Sequence, residues 1–205
     1  FSKFCPGWQV ALIDLNNDGY DELVMGSNAL FLKEDRIYWN DRTGEFDFSK
    51  YTSIPEFKSF GGNYLYDTLA ILETDLNFDG KIDIVMSKSQ RYVGMGLQFL
   101  INNGDETFTD ATESYSPWLT SGPASPQAIP YWISETDINS DGLPDLKLNY
   151  DKWGDDKFPH IWLREKDGGY EEYPSSSLPK VGWFWLLDYD LDGDEDLIYR
   201  NQAWK

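Results

Sequence analysis

An acidic loop with an invariant glycine recurs four times along this chain, and nothing else in the sequence constrains the fold as tightly. The copies are Asp14-Leu-Asn16-Asn-Asp18-Gly19, Asp75-Leu-Asn77-Phe-Asp79-Gly80, Asp137-Ile-Asn139-Ser-Asp141-Gly142 and Asp188-Tyr-Asp190-Leu-Asp192-Gly193. Each is followed, three residues past its Gly, by a further carboxylate: Glu22, Asp83, Asp145 and Asp196.

Side-chain oxygens thus fall at loop positions 1, 3, 5 and 9, and Gly at position 6 supplies the sharp turn that lets a chain wrap a hard cation. The expected ligands are Asp14, Asn16, Asp18 and Glu22; Asp75, Asn77, Asp79 and Asp83; Asp137, Asn139, Asp141 and Asp145; and Asp188, Asp190, Asp192 and Asp196. The backbone carbonyl at position 7 (Tyr20, Lys81, Leu143, Asp194) is the remaining protein ligand expected in each loop. An all-oxygen set without His or Cys favours calcium over zinc, copper or iron, and it offers more ligands than magnesium usually takes from protein. About four structural calcium ions are expected.

One isolated copy would read equally well as an Asx-rich turn, but four in one frame do not. An EF-hand would need a bidentate Glu at position 12, where this chain has Met25, Met86, Leu148 and Tyr199. The apolar runs after position 9 (Leu23-Val24-Met25, Ile84-Val85-Met86, Leu146-Lys-Leu148, Leu197-Ile198-Tyr199) have the length and residue types of strands. Each loop therefore joins two strands.

The first Asp residues stand at 14, 75, 137 and 188, giving steps of 61, 62 and 51 residues. A period of this size marks a supersecondary unit that buries its apolar face only by stacking on its neighbours. Four strands per unit fit the length, so the expected fold is all-β, built of β-propeller blades of four antiparallel strands. First strands are expected at Gln9 to Ile13, Thr68 to Glu73, Tyr131 to Thr136 and Gly182 to Leu187. Third strands are expected at Arg36 to Trp39, Leu97 to Ile101 and His160 to Leu163, followed by turns at Thr43-Gly44, Asn103-Gly104 and Asp167-Gly168-Gly169. The blades span about 8–57, 66–116, 130–178 and 182–205, with the last incomplete, in a single segment 1–205.

With this repeat, the chain resembles the FG-GAP/VCBS family of calcium-loop β-propellers, which includes the integrin alpha-chain head. The stretch Leu100-Ile-Asn-Asn-Gly-Asp-Glu-Thr-Phe-Thr-Asp110 is similar to the family's third-to-fourth-strand hairpin. The resemblance implies a calcium-stabilised recognition or adhesion module. It also implies that ligands bind on the face opposite the calcium loops. Mapped here, that face holds Tyr64, Tyr92, Trp118 and Trp153 in polar loops, where aromatic side chains suit sugar stacking or protein anchoring. Trp8, Trp132, Trp183 and Trp185 lie in first strands and are expected to pack in the blades.

About three and a half blades leave sheet edges that rings eliminate by closure, so the chain is expected to belong to a larger propeller of about seven blades. The remainder would come from the parent chain or from a second subunit.

Net charge is −19, and loop positions 1, 3, 5 and 9 contribute three carboxylates in each of the first three loops and four in the last. Much of the acidity is thus cation-site acidity. What remains argues against nucleic acid and anionic membrane, for which 17 Lys plus Arg provide no basic footprint, and against processing of polyanionic sugars. No apolar run approaches the length of a membrane span. Cys5 is alone, so no intrachain disulfide forms. Loops of this type fill at extracellular calcium and stay empty in resting cytosol, which places the protein outside the cell, on its surface or in a periplasm.

Catalytic constellations are sparse. His160, the single His, precedes Ile161-Trp162-Leu163 and reads as a structural strand residue; there is no Gly-x-Ser-x-Gly elbow and no phosphate-binding Gly loop. No enzymatic activity is expected of the chain itself. The resulting expectation is a calcium-stabilised extracellular module that binds glycan or protein. The alternatives are a noncatalytic propeller portion of a larger carbohydrate-active enzyme and a scaffold without a small ligand.

Overall fold

The computed structural model describes residues 9–28, 34–57, 67–89, 95–115, 130–150, 161–173, 184–193, 195–199 and 202–204. Among them are fifteen strands and one four-residue helix, and the chain divides into two compact units, Phe1–Pro126 and Gln127–Lys205.

The first unit holds two antiparallel sheets, each ordered as its strands occur in the sequence. One comprises β1 (Val10–Ile13), β2 (Glu22–Met25), β3 (Arg36–Tyr38) and β4 (Thr52–Ser53). The other comprises β5 (Asp67–Thr74), β6 (Asp83–Ser89), β7 (Met95–Asn102) and β8 (Phe108–Asp110), followed by α1 (Thr112–Tyr115). Both are up-and-down sheets of the propeller-blade type, as the repeat predicts. The turn at Gly44, which has φ 83°, leads through seven further residues before β4 instead of opening a strand at once.

A shared core joins the two sheets. Ile13, Leu15, Val24, Ile37 and Ile54 from the first pack with Ile84, Met86, Leu100 and Phe108 from the second. Every residue of β6 is buried, since both faces of this strand are covered. Polar clasps tie the sheets as well. The Thr68 N–H donates to the Ser27 carbonyl at 3.0 Å, and the Asn102 amide donates to the Leu15 carbonyl at 2.8 Å. At Gly26 an added Cβ would stand 2.7 Å from the Thr68 Cβ, so only glycine permits this approach.

The second unit repeats the plan. Its first sheet comprises β9 (Pro130–Thr136), β10 (Asp145–Tyr150), β11 (Ile161–Arg164) and β12 (Tyr170–Glu172), and its second comprises β13 (Trp185–Leu187), β14 (Asp196–Tyr199) and β15 (Gln202–Trp204). Ile161, Phe184 and Leu197 form its buried centre, with Ile138, Leu163, Leu186 and Tyr199 packed around them.

The first-strand tryptophans require a correction. Trp132 and Trp185, expected in the blade core, are 59% and 60% exposed. Strand side chains alternate between faces, and the inward positions here belong to Ile133 and to the half-buried Leu186. Val10 and Leu12 are exposed in β1 for the same reason, while Ile13 is buried. Trp8, Trp183, Cys5 and His160 lie outside the described residues.

Candidate metal centres

Each acidic loop links the first strand of a sheet to the second, and all four share one backbone trace. Position 4 is left-handed in every copy, with φ of 57° at Asn17, 58° at Phe78, 56° at Ser140 and 61° at Leu191. Gly at position 6 follows with φ between 81° and 99°. Sequence reasoning assigned the glycine its turn but missed position 4, because Phe, Ser and Leu carry no signal for a left-handed backbone.

The position-1 carboxylate organises the turn. Asp14, Asp75, Asp137 and Asp188 each accept the position-5 N–H on Oδ1 and the Gly N–H on Oδ2, at 2.8–3.1 Å. Asn16, Asn77 and Asn139 accept the same position-5 N–H at 3.0–3.1 Å. Asp18, Asp79 and Asp141 accept the position-7 N–H at 2.9–3.0 Å. Side chains at positions 1, 3 and 5 are thereby aimed by the backbone they surround. Asp194 lies outside the described residues.

Position 9 does more than the repeat suggested. Glu22, Asp83 and Asp145 are fully buried at the start of their second strands, and Asp196 nearly so. All four accept the N–H of loop position 2, from Leu15, Leu76, Ile138 and Tyr189, at 2.8–3.1 Å. The second oxygen of Asp83 and of Asp145 also accepts a third-strand N–H, from Asn102 and Arg164, each at 2.7 Å. The residue expected only as a cation ligand is therefore also the clasp that ties loop, second strand and third strand together.

These buried carboxylates are electrostatically uncomfortable. Desolvation raises the pKa of Glu22, and Asp18 and Asp14 raise it further, against opposing N–H groups of Leu15 and Asn40. Desolvation likewise raises Asp83 and Asp145, with neighbouring loop carboxylates adding to it. Glu22 Oε1 is buried with no partner in hydrogen-bonding geometry. In the last loop, carboxylate oxygens of Asp188, Asp190 and Asp196 lie within 4.8 Å of one another. A buried orphan oxygen and converging carboxylates are what a hard divalent cation would satisfy, so the donor set fits calcium. Among the described residues, the basic groups that meet these loops do so at the rim: Arg42 Nε meets Asp18 Oδ2 at 3.0 Å and Lys81 Nζ meets Asp79 Oδ2 at 2.6 Å, both with substantially exposed side chains.

The position-12 side chains sit in second strands, with Met86 and Leu148 fully buried, which excludes an EF-hand. Tyr64, Tyr92, Trp118 and Trp153, proposed from sequence as ligand contacts, lie outside the described residues.

Fold and loops together define a blade-repeat protein whose strand-joining loops are lined with carboxylate and amide side chains. A family model described as "FG-GAP-like repeat" matches residues 75–148, and one described as "FG-GAP repeat" matches residues 6–30. The chain therefore carries FG-GAP repeats. Among solved structures it is similar to a lectin of Agrocybe aegerita, described in a study of specific recognition of non-reducing terminal N-acetylglucosamine. That match has a TM-score of 0.50 and 16% identity, and covers 92% of this chain and 45% of the lectin chain. The chain thus spans less than half the length of that neighbour. No curated protein matches it.

Proposed function

We propose that this chain is a calcium-stabilised extracellular recognition module whose ligand is a glycan or a protein. One observation carries the calcium reading: the same oxygen-lined loop is built four times, each time with a buried position-9 carboxylate that a cation would relieve. Asp14, Asp18 and Glu22 and their counterparts would hold the ion, which neutralises carboxylates that otherwise repel one another. Its role is to staple the first and second strands of each blade, since four alike sites suit structure better than a single reactive centre. Sites of this class fill at millimolar calcium, which supports a location outside the cytosol.

Recognition is supported by the repeat family, by the fold shared with a lectin and by the lack of a catalytic constellation in the sequence. The test is a glycan array together with a panel of purified extracellular matrix proteins, probed in calcium and again in chelator. Saturable binding that is lost on chelation supports the proposal. Failure to bind in calcium, with the protein shown to be folded, contradicts it.

A further inference from the structure

We propose that the cleft between the first acidic loop and the β7–β8 hairpin binds a neutral saccharide unit. The inference rests on the recognition reading above and gives it a site. The cleft encloses about 510 Å³, within the roughly 300–1,000 Å³ typical of small-ligand pockets. It lies wholly within the first unit, on the side of the acidic loops.

Its lining has the mixture that a sugar ring demands. Trp39 supplies apolar surface, while Asn16 and Asn17 on one side and Asp105 and Glu106 on the other supply polar groups. The indole packs on the shared core, and its Nε1 donates to the Thr52 hydroxyl at 2.9 Å. The ring is held in place with its one donor already used, so it offers the ligand only an apolar surface. Amides and carboxylates around it provide the donors and acceptors that hydroxyl groups, each both donor and acceptor, pair with.

The walls are preorganised. The Asn102 amide donates to the Leu15 carbonyl at 2.8 Å and the Ile82 carbonyl at 3.0 Å, and its oxygen accepts the Gly104 N–H at 2.9 Å. Asn17 Nδ2 donates to the Gly80 carbonyl at 3.3 Å. These bonds tie the loop of one sheet to the loop and hairpin of the next, which lowers the ordering cost of binding.

Other ligand classes fit less well. Lys81 is the cation among the lining residues, and its ammonium already donates to Asp79, while Asp105 and Glu106 would repel a phosphate or carboxylate. A purely apolar ligand would strip water from amides and carboxylates without replacing it.

The probes are glucose, galactose, mannose, N-acetylglucosamine and N-acetylgalactosamine, titrated in calcium by saturation-transfer NMR and calorimetry. Asn17→Gly and Glu106→Gly remove lining side chains at residues with φ of 57° and 65°, where glycine is at ease, so folding should survive. At least one sugar should bind, and each variant should weaken it by about tenfold, the scale of one lost hydrogen bond, with the melting temperature unchanged in Glu106→Gly and lowered in Asn17→Gly only by the loss of its bond to the Gly80 carbonyl. If no sugar binds to the folded protein, the saccharide assignment is overturned while a protein ligand for the module stands. If a sugar binds equally to wild type and both variants, the site is overturned while the recognition reading stands.

Discussion

Lys88 and Asp35 form a buried ion pair that joins the two sheets of the first unit, with the lysine 1% and the aspartate 7% exposed. Thr68 links them: its hydroxyl donates to Asp35 Oδ1 at 2.6 Å and accepts from Lys88 Nζ at 2.8 Å. The Ser27 N–H completes the set at 2.6 Å from Asp35 Oδ1. Burial opposes ionisation of Asp35, but the Lys88 ammonium and these hydrogen bonds outweigh it and hold its pKa below the usual value. Removing one partner strands a buried charge, so Asp35→Asn and Lys88→Met should each cost about 3–5 kcal/mol. The double variant should recover much of that loss, because neither charge then remains. Denaturant unfolding of the singles and the double measures the coupling.

The exposed tryptophans should matter little to folding. Trp132→Ser and Trp185→Ser should each shift stability by no more than about 0.5 kcal/mol. Phe184→Ala, at a ring 2% exposed, should cost about 3–5 kcal/mol. Thermal melts of the three variants separate the two classes.

Leu191 holds φ 61° and is 86% exposed, so it carries left-handed strain without packing in return. Leu191→Asn, which copies Asn17 at position 4 of the first loop, should stabilise the protein by about 1 kcal/mol. A rise in melting temperature is the expected readout.

Stability in chelator should depend on pH in an unusual direction. Glu22, Asp83 and Asp145 have pKa values raised by burial, so between the unfolded and folded pKa the folded state binds more protons. Their contribution is fully present below the unfolded value and is lost as pH rises through the folded value. Melting temperature in chelator should therefore rise as pH is lowered from neutrality towards the carboxylate range. In saturating calcium the trend should reverse, since protons then compete with the ion.

Much of the architecture was legible because it repeats. Ligand-bearing residues at fixed offsets from Gly19, Gly80, Gly142 and Gly193 located the loops, and the apolar runs after position 9 became β2, β6, β10 and β14. Residues with meaning only in three dimensions were not legible. Lys88 sits in a strand buried on both faces, and its partner Asp35 lies 53 residues away, so neither signals the other in sequence. The outward turn of Trp132 and Trp185 depends on which parity of each strand meets the core, and two flanking apolar residues leave that open. The second role of Asp83 and Asp145, accepting third-strand N–H groups, follows from sheet register rather than from composition.

Counting bound ions decides whether the four loops are calcium staples. Native mass spectrometry in calcium should show the folded chain carrying about four calcium ions. Asp137→Asn with Asp141→Asn should remove one ion and lower the melting temperature. The full stabilisation expected from linkage is about 2.7 kcal/mol per site at a hundredfold excess of calcium over its dissociation constant. A chain that retains no calcium, with the same melting curve in calcium and in chelator, would show that the loops are not calcium staples.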